Sequence, residues 1–393
     1  CYKKKKLSER VLKSLSCLCV VNVRHKALHP NLHVFILLID RSKKQGYGMK
    51  KTIIACAVAP LLTAPSALAA ENGYQIPSKS LANLVDAKLA PGTSLSPNNE
   101  WMALYERQRI AALDELAKDE LKLAGIKLNP DNFSRARPRS KYLSIAFKHL
   151  ATGKEVTVDN LPKGRILAPS WSPNSQYVAF FIEQEKQANL YIFDVNKQTL
   201  KQVEHLALNS VITARPYRWL SDSSAIIANK AVNINQSAPT ESAASAVPVI
   251  SQTTGEKAPV RTYQNLLATP HDKALFKHYG LGQLVKITVD GKSHNLGEPG
   301  LIKGFRTSPD AKHILVAKIQ EPFSYLVPYS RFASTWQVID DKGNVIKEIA
   351  KQPLAENIPQ GFDSVRTGKR SISWRGDKAA TLVWTEAQDG GSM

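Results

Sequence analysis

Ser172-Pro173-Asn174-Ser175-Gln176-Tyr177-Val178-Ala179-Phe180 is one copy of a phrase that recurs along this chain. It returns as Ser96-Pro97-Asn98-Asn99-Glu100-Trp101-Met102-Ala103-Leu104 and as Ser308-Pro309-Asp310-Ala311-Lys312-His313-Ile314-Leu315-Val316. Two looser copies fit the same frame: Leu220-Ser221-Asp222 leading into Ala225-Ile226-Ile227-Ala228, and Arg375-Gly376-Asp377 leading into Thr381-Leu382-Val383-Trp384. In each, Pro and Asn or Asp fix a tight turn. The apolar run that follows reads as a strand buried on both faces. A repeat of this kind decides the fold before local propensity does.

Between consecutive copies lies an apolar stretch broken by a turn: Leu143 to Val156, Leu190 to Leu200, Leu284 to Leu296, and Trp336 to Ile349. Thr152-Gly153, Asp290-Gly291 and Lys342-Gly343-Asn344 mark three of the breaks, and each stretch reads as a hairpin. Turn-strand units alternating with hairpins make four strands per unit, the sheet of one propeller blade. The expectation is an all-β chain forming a partial β-propeller of about four to five blades. A β-sandwich with coincidental turns is the competing reading.

The copies are 76, 48, 88 and 67 residues apart, where an undecorated blade takes roughly 40 to 50. Insertions account for the excess. Gln108 to Ala124 carries Ile110, Leu113, Leu116, Ala117 and Leu121, an Asp114 and Lys118 pair, and Gly125 as a stop, which predicts a small amphipathic helix. Residues 231–260, rich in Ala, Ser, Thr and Pro, read as a mobile surface insertion.

Charge points to the N-terminal part. The 393 residues hold 53 Lys plus Arg against 33 Asp plus Glu, a net +20, which alone would suggest nucleic acid or an anionic membrane as partner. Residues 1–70 carry 13 of those cations and two acids, leaving a mild excess of 40 basic over 31 acidic residues from 71 onward, so no nucleic-acid partner is expected. From Met49, MKKTIIACAVAPLLTAPSALAA has the basic start, apolar stretch and small-residue end of a secretory signal peptide over 49–70, with cleavage near Ala67, Ala69 and Ala70. Residues 1–48 then read as non-native translation upstream of Met49. The protein is expected to be exported, periplasmic or secreted, with no membrane anchor after cleavage and a propeller domain over 71–393. A composition of 43% hydrophobic and 22% charged residues excludes a wholly disordered chain.

With the repeat in place, longer phrases carry a resemblance. Leu143 to Phe180 and Gly280 to Gly391 look like the N-terminal propeller of the prolyl oligopeptidase family of serine peptidases. FSYLVPYSRF (Phe323 to Phe332), PLAENIP (Pro353 to Pro359), SVRTGKRSISWRGDKAATLVW (Ser364 to Trp384) and EAQDGG (Glu386 to Gly391) are similar to its glutamyl endopeptidase branch. The resemblance implies an enzyme whose propeller gates and selects peptides for a following α/β-hydrolase domain with a Ser, Asp, His triad. With the sequence stopping at Met393, that domain is expected to be absent, and the chain alone inactive. A non-catalytic periplasmic propeller scaffold is the alternative.

The residues fit that division of labour. An α/β-hydrolase nucleophile needs G-x-S-x-G; the nearest approach, Gly291-Lys292-Ser293-His294-Asn295, lacks the second Gly and falls in a hairpin. No catalytic residue is assigned. The four cysteines, Cys1, Cys17, Cys19 and Cys56, all precede residue 57, and no metal-ligand spacing, Walker loop or G-x-G-x-x-G occurs, so neither metal nor cofactor is expected. His149, His294 and His313 read as structural. Selecting an acidic peptide calls for an Arg fork against a carboxylate. Arg366, Arg370 and Arg375, clustered in the last phrase, are the candidate substrate-binding residues.

Overall fold

The computed structural model describes residues 77–111, 113–137, 141–241, 262–358 and 364–391. The upstream segment, the leader with Ala67, Ala69 and Ala70, and the side chain of Asp114 lie outside the described residues.

After helix α1 (Lys79–Asp86), the first blade begins with β1 (Gly92–Leu95) and β2 (Trp101–Arg107). A short helix α2 (Leu113–Leu116) and a small sheet of β3 (Leu121–Leu123), β4 (Ile126–Asn129) and β5 (Ser134–Arg135) intervene before β6 (Tyr142–His149) and β7 (Glu155–Thr157) complete it. The second blade is β8 (Arg165–Trp171), β9 (Tyr177–Glu183), β10 (Ala188–Asp194) and β11 (Thr199–Ala207). The third is β12 (Tyr217–Trp219), β13 (Ala225–Ala231), β14 (Leu281–Thr288) and β15 (Ser293–Asn295), with helix α3 (Pro270–Gly280) between its middle strands. The fourth is β16 (Gly300–Thr307), β17 (Ile314–Ile319), β18 (Ser334–Ile339) and β19 (Val345–Gln352), and β20 (Arg370–Trp374) with β21 (Leu382–Thr385) open a fifth. Each blade is an antiparallel meander, and all four anticipated hairpins form. Strand pairing passes from blade one to blade two at Tyr142 and Ile166, and from blade three to blade four at Leu281–Leu301 and Gly282–Gly300. Among the described residues the arc of blades is open, a partial propeller.

The recurring phrase has a local cause. Ser172 Oγ donates to Asn174 Oδ1 at 2.7 Å and accepts the amide of Tyr177 at 2.9 Å. Ser96 does the same with Asn98 and Trp101, and Ser308 with Asp310 and His313. The fourth residue takes a left-handed conformation at Asn99, Ser175, Ser223 and Ala311, with φ between 59° and 65°. Leu220 and Arg375 lack the hydroxyl but keep the backbone bond across the turn, to Ala225 and Thr381.

Successive turns are also fastened to one another. Asn98 N donates to Ser175 Oγ and Asn174 N to Ser223 Oγ. At the ends of β8, β12 and β20, Trp171 Nε1 reaches Ser94 Oγ, Trp219 Nε1 reaches the Ser170 carbonyl and Trp374 Nε1 reaches the Arg306 carbonyl, and at the end of β16 Thr307 Oγ1 reaches the Trp219 carbonyl. These bonds make the first strands of neighbouring blades neighbours in space.

Cores lie between blades. Val178 and Phe180 pack toward blade one with Phe147, while Ala179 and Phe181 pack toward blade three with Trp219 and Ile226. Central strands are therefore buried on both faces, as the repeat predicts, and each large side chain so buried contributes roughly 1.5–3 kcal/mol. The outer units differ. In β2 burial alternates, and β21, expected to be buried on both faces, is mostly exposed, because among the described residues each has a blade on one side only.

The predicted helix over Gln108 to Ala124 is corrected. Only Leu113–Leu116 is helical; Leu121 and Leu123, then Ile126 and Leu128, alternate at the strand period, with Ala124 and Gly125 at positive φ making the turn between them. This hairpin packs with α3 and residues 323–332 into a second layer around Leu128, Phe133, Phe276, Phe323 and Phe332. Arg135 ties the layer to the blades through the Val211 and Ile212 carbonyls, at 3.1 and 2.8 Å, and to Tyr329 Oη at 2.8 Å. Of the insertion over 231–260, Ile234 and Ala238 pack against this layer, and 242–260 lie outside the described residues.

Candidate functional site

Where the second layer meets blade four, three cations converge. Lys303 sits at a bulge in β16, between Ile302 and Gly304, the kind of irregularity that re-aims a side chain. Its Nζ donates to the Ser330 carbonyl at 2.9 Å and Ser334 Oγ at 3.4 Å. Arg331 ends a 3-10 turn over Tyr329–Arg331, entered from Pro328, and its guanidinium carbon lies 5.5 Å from the centre of the Tyr263 ring. Arg366 donates to Gln352 Oε1 at 3.2 Å, to the Arg331 carbonyl at 3.0 Å and to the Pro353 carbonyl at 3.4 Å. Gln352 also accepts from Ser334 Oγ at 3.3 Å, closing a network from Lys303 to Arg366.

None of the three cations has an ion pair among the described residues. Burial, then the Arg366 charge, pushes the Lys303 amine down to about 8, and burial with the Arg331 charge lowers Arg366. Like charges held together without a carboxylate favour an anionic guest. A cavity of about 550 Å3 opens beside the network, lined by Ser334, Gln352 and Pro353 with Glu348 and Lys351; the three cations themselves stand outside its lining.

Of the candidates read from sequence, Arg366 alone joins this group. Arg370 opens β20, and its Nε is buried without a hydrogen-bond partner. Arg375 makes a two-pronged ion pair with Asp377, at 3.0 and 2.6 Å, in an exposed turn. Lys303 was missed because nothing in Gly300–Thr307 marks a site. Arg331 lies in a quoted phrase, and its separation from Arg366 hid the pairing.

The histidines sit in structural settings. His149 stacks edge-on against Trp101, His313 faces Asp310 at 3.3 Å, and His294 is 3.3 Å from the Asp341 carbonyl. Ser293 is exposed in β15. Among the described residues no group of three or more His, Cys, Asp or Glu is placed to hold a metal ion.

The fold defines a class, a protein of repeated four-stranded blades. No family model matches the chain. It is 34% identical over 336 residues to a probable chloroplastic glutamyl endopeptidase of Oryza sativa subsp. japonica, covering 81% of this chain and 35% of the relative. A probable chloroplastic glutamyl endopeptidase of Arabidopsis thaliana is 30% identical over 340 residues, covering 82% and 35%. Among solved structures, Pyrococcus horikoshii acylaminoacyl peptidase aligns with a TM-score of 0.41 at 12% identity, covering 78% of this chain and 37% of that one. Over its propeller-like region the chain is a relative of these probable glutamyl endopeptidases. It spans about a third of the length of the curated relatives it matches.

Proposed function

We propose that this chain is the propeller portion of an exported serine peptidase of glutamyl endopeptidase type, gating and selecting peptides for an α/β-hydrolase domain. The observation that carries this reading is the convergence of three separated segments, 323–332, 353–358 and 364–384, on Arg331, Pro353 and Arg366, joined there by Lys303. Arg366, with Arg331 beside it, offers guanidinium forks to the carboxylate of an acidic side chain, and Lys303 adds a point charge. A neutral Gln in the same place leaves half-buried cations unpaired, so the site discriminates by penalty as well as attraction. Cleavage after Ala69 or Ala70 of the 49–70 leader accounts for export.

Two labelled peptides differing only in Glu against Gln, titrated onto the full chain, test this. About tenfold tighter binding of the Glu peptide is expected, with the preference abolished in Arg366→Gln. Equal affinities for the two peptides sink the selection role. Sequencing the mature N-terminus tests export, and a terminus upstream of Met49 defeats it.

A further inference from the structure

The inner wall of the arc carries a second group of cations. Two residues before the start of each recurring turn, successive blades place Ser94, Ser170, Arg218, Arg306 and Ser373. These positions are equivalent in the repeat, and at the junction of blades three and four Thr307 Oγ1 donates to the Trp219 carbonyl at 3.1 Å, holding the two first strands side by side. Three blades present hydroxyls at this position; the adjacent third and fourth present arginines.

Tyr217 and Trp219 are buried on either side of half-buried Arg218 in β12, and buried Phe305 precedes exposed Arg306 in β16. Both arginines therefore leave their strands away from the cores between blades. Arg218 Nε donates to the Phe305 carbonyl at 2.9 Å, which fixes its guanidinium across the junction of blades three and four. Arg215, exposed, lies three residues before Arg218.

Two cavities of about 230 and 400 Å3 share Arg218 and Thr307 in their linings; Arg215 lines the first, and Arg306 with Ser221 the second. No carboxylate lines either cavity, and none of the three arginines has an ion pair among the described residues. Burial, then the charges of Arg306 and Arg215, lowers the proton affinity of Arg218. Like charges converge here with nothing in the described chain to balance them.

We propose that Arg215, Arg218 and Arg306 form an anion-binding site on the inner wall that holds the carboxylate of an acidic peptide. The size of the space favours a peptide over a lone ion: the cavities are several-fold larger than the ~30 Å3 a water molecule occupies in the liquid. Trp171 and Tyr217 in the first lining and Trp374 in the second add apolar surface suited to a chain. The cation site itself stands on this geometry alone; only the peptide occupant rests on the peptidase reading above.

The test titrates a labelled Glu-containing peptide and, separately, inorganic phosphate onto the full chain and its Arg218→Gln, Arg306→Gln and Arg366→Gln variants. Arg218→Gln and Arg306→Gln are each expected to weaken the acidic peptide about tenfold, with a flatter salt dependence. Arg218→Gln also removes the bond to Phe305, so its melting curve is recorded alongside. The Arg306 side chain makes no hydrogen bond among the described residues, so Arg306→Gln keeps the test open if Arg218→Gln misfolds. Unchanged peptide affinity in Arg306→Gln overturns the proposal. Phosphate binding that is lost in these variants while peptide affinity holds also overturns it, as a site for a free oxyanion. Retained Glu-over-Gln preference in Arg366→Gln, with weakening in Arg306→Gln, supports this site and defeats the Arg366 reading instead.

Discussion

Arg366 Nη2 donates to the carbonyl of Arg331 at 3.0 Å, so the guanidinium of one cation fixes the backbone of another. The same carbonyl accepts the amide of Ala355 at 3.0 Å, which draws the segment after β19 into the arrangement. Two positive side chains stay close because hydrogen bonds to main chain and to Gln352 offset their repulsion.

Arg366→Lys keeps the charge and loses the fork. Hydrogen bonds from a charged donor contribute about 1.5–3 kcal/mol each, less where water competes. We expect a loss of about 1–2 kcal/mol, read as a lower denaturant midpoint at an unchanged m-value. Equal stability of the variant would show that the backbone holds Arg331 without it.

Lys303 makes stability depend on pH. Its amine is pushed down to about 8 from 10.5, so below pH 8 it is charged in both folded and unfolded chains and the cost of burying that charge is present in full. Between 8 and 10.5 the unfolded chain holds a proton that the folded chain has lost, so stability rises with pH. Lys303→Met is expected to remove this rise, and a wild-type-minus-variant difference that is flat from pH 7 to about 10.5 contradicts it. Affinity for the Glu peptide is expected to fall over the same upper range as the site loses a charge.

The pair at the start of β8 and the end of β9 supplies a third test. Arg165 Nη2 lies 2.5 Å from Glu183 Oε2 and Arg165 Nη1 lies 2.7 Å from Glu115 Oε1. Burial raises the Glu183 carboxyl above its ordinary range despite the Arg165 charge. Arg165→Met removes the main opposite charge from that carboxylate, leaving it Ser134 and the weaker charge of Lys141, and is expected to cost up to about 3–5 kcal/mol at neutral pH. The loss shrinks toward acid, because a raised folded pKa means the folded chain takes up protons first. Glu183→Gln is expected to cost less; the reverse order in thermal melts refutes the assignment.

Two turn glycines separate backbone strain from contact. Gly343 has φ 89°, and an added Cβ would stand 2.0 Å from Gly297 N, whereas Gly153 has φ 72° and open space around it. Gly153→Ala is expected to cost about 1–2 kcal/mol from the left-handed conformation alone. Gly343→Ala adds a clash with backbone, for roughly 1–3 kcal/mol more. Similar losses in the two variants would show that the Gly297 loop yields freely.

The blade repeat was readable because its causes are local. A serine that bonds both the third residue of its turn and the amide five residues on is fixed by sequence spacing alone, and so is each hairpin between turns. The hairpin over Leu121 to Leu128 is equally local, but Leu113, Leu116, Ala117 and Leu121 also fit a helical period, and burial against the second layer decides for the strand. Helix α3 has a local mark too, Thr269, Pro270 and Asp272, a capping box with proline at the start.

The cation groups belong to the other kind of information. Lys303, Arg331 and Arg366 come from separate elements, as do Arg218 and Arg306, and no short-range rule says which loops meet. By itself, then, the sequence determined the turns, the strands and their order, because each is set by neighbours within a few residues. Only the tertiary structure decided which cations share a site, because that depends on how blades stack and how a bulge and a guanidinium re-aim distant chain.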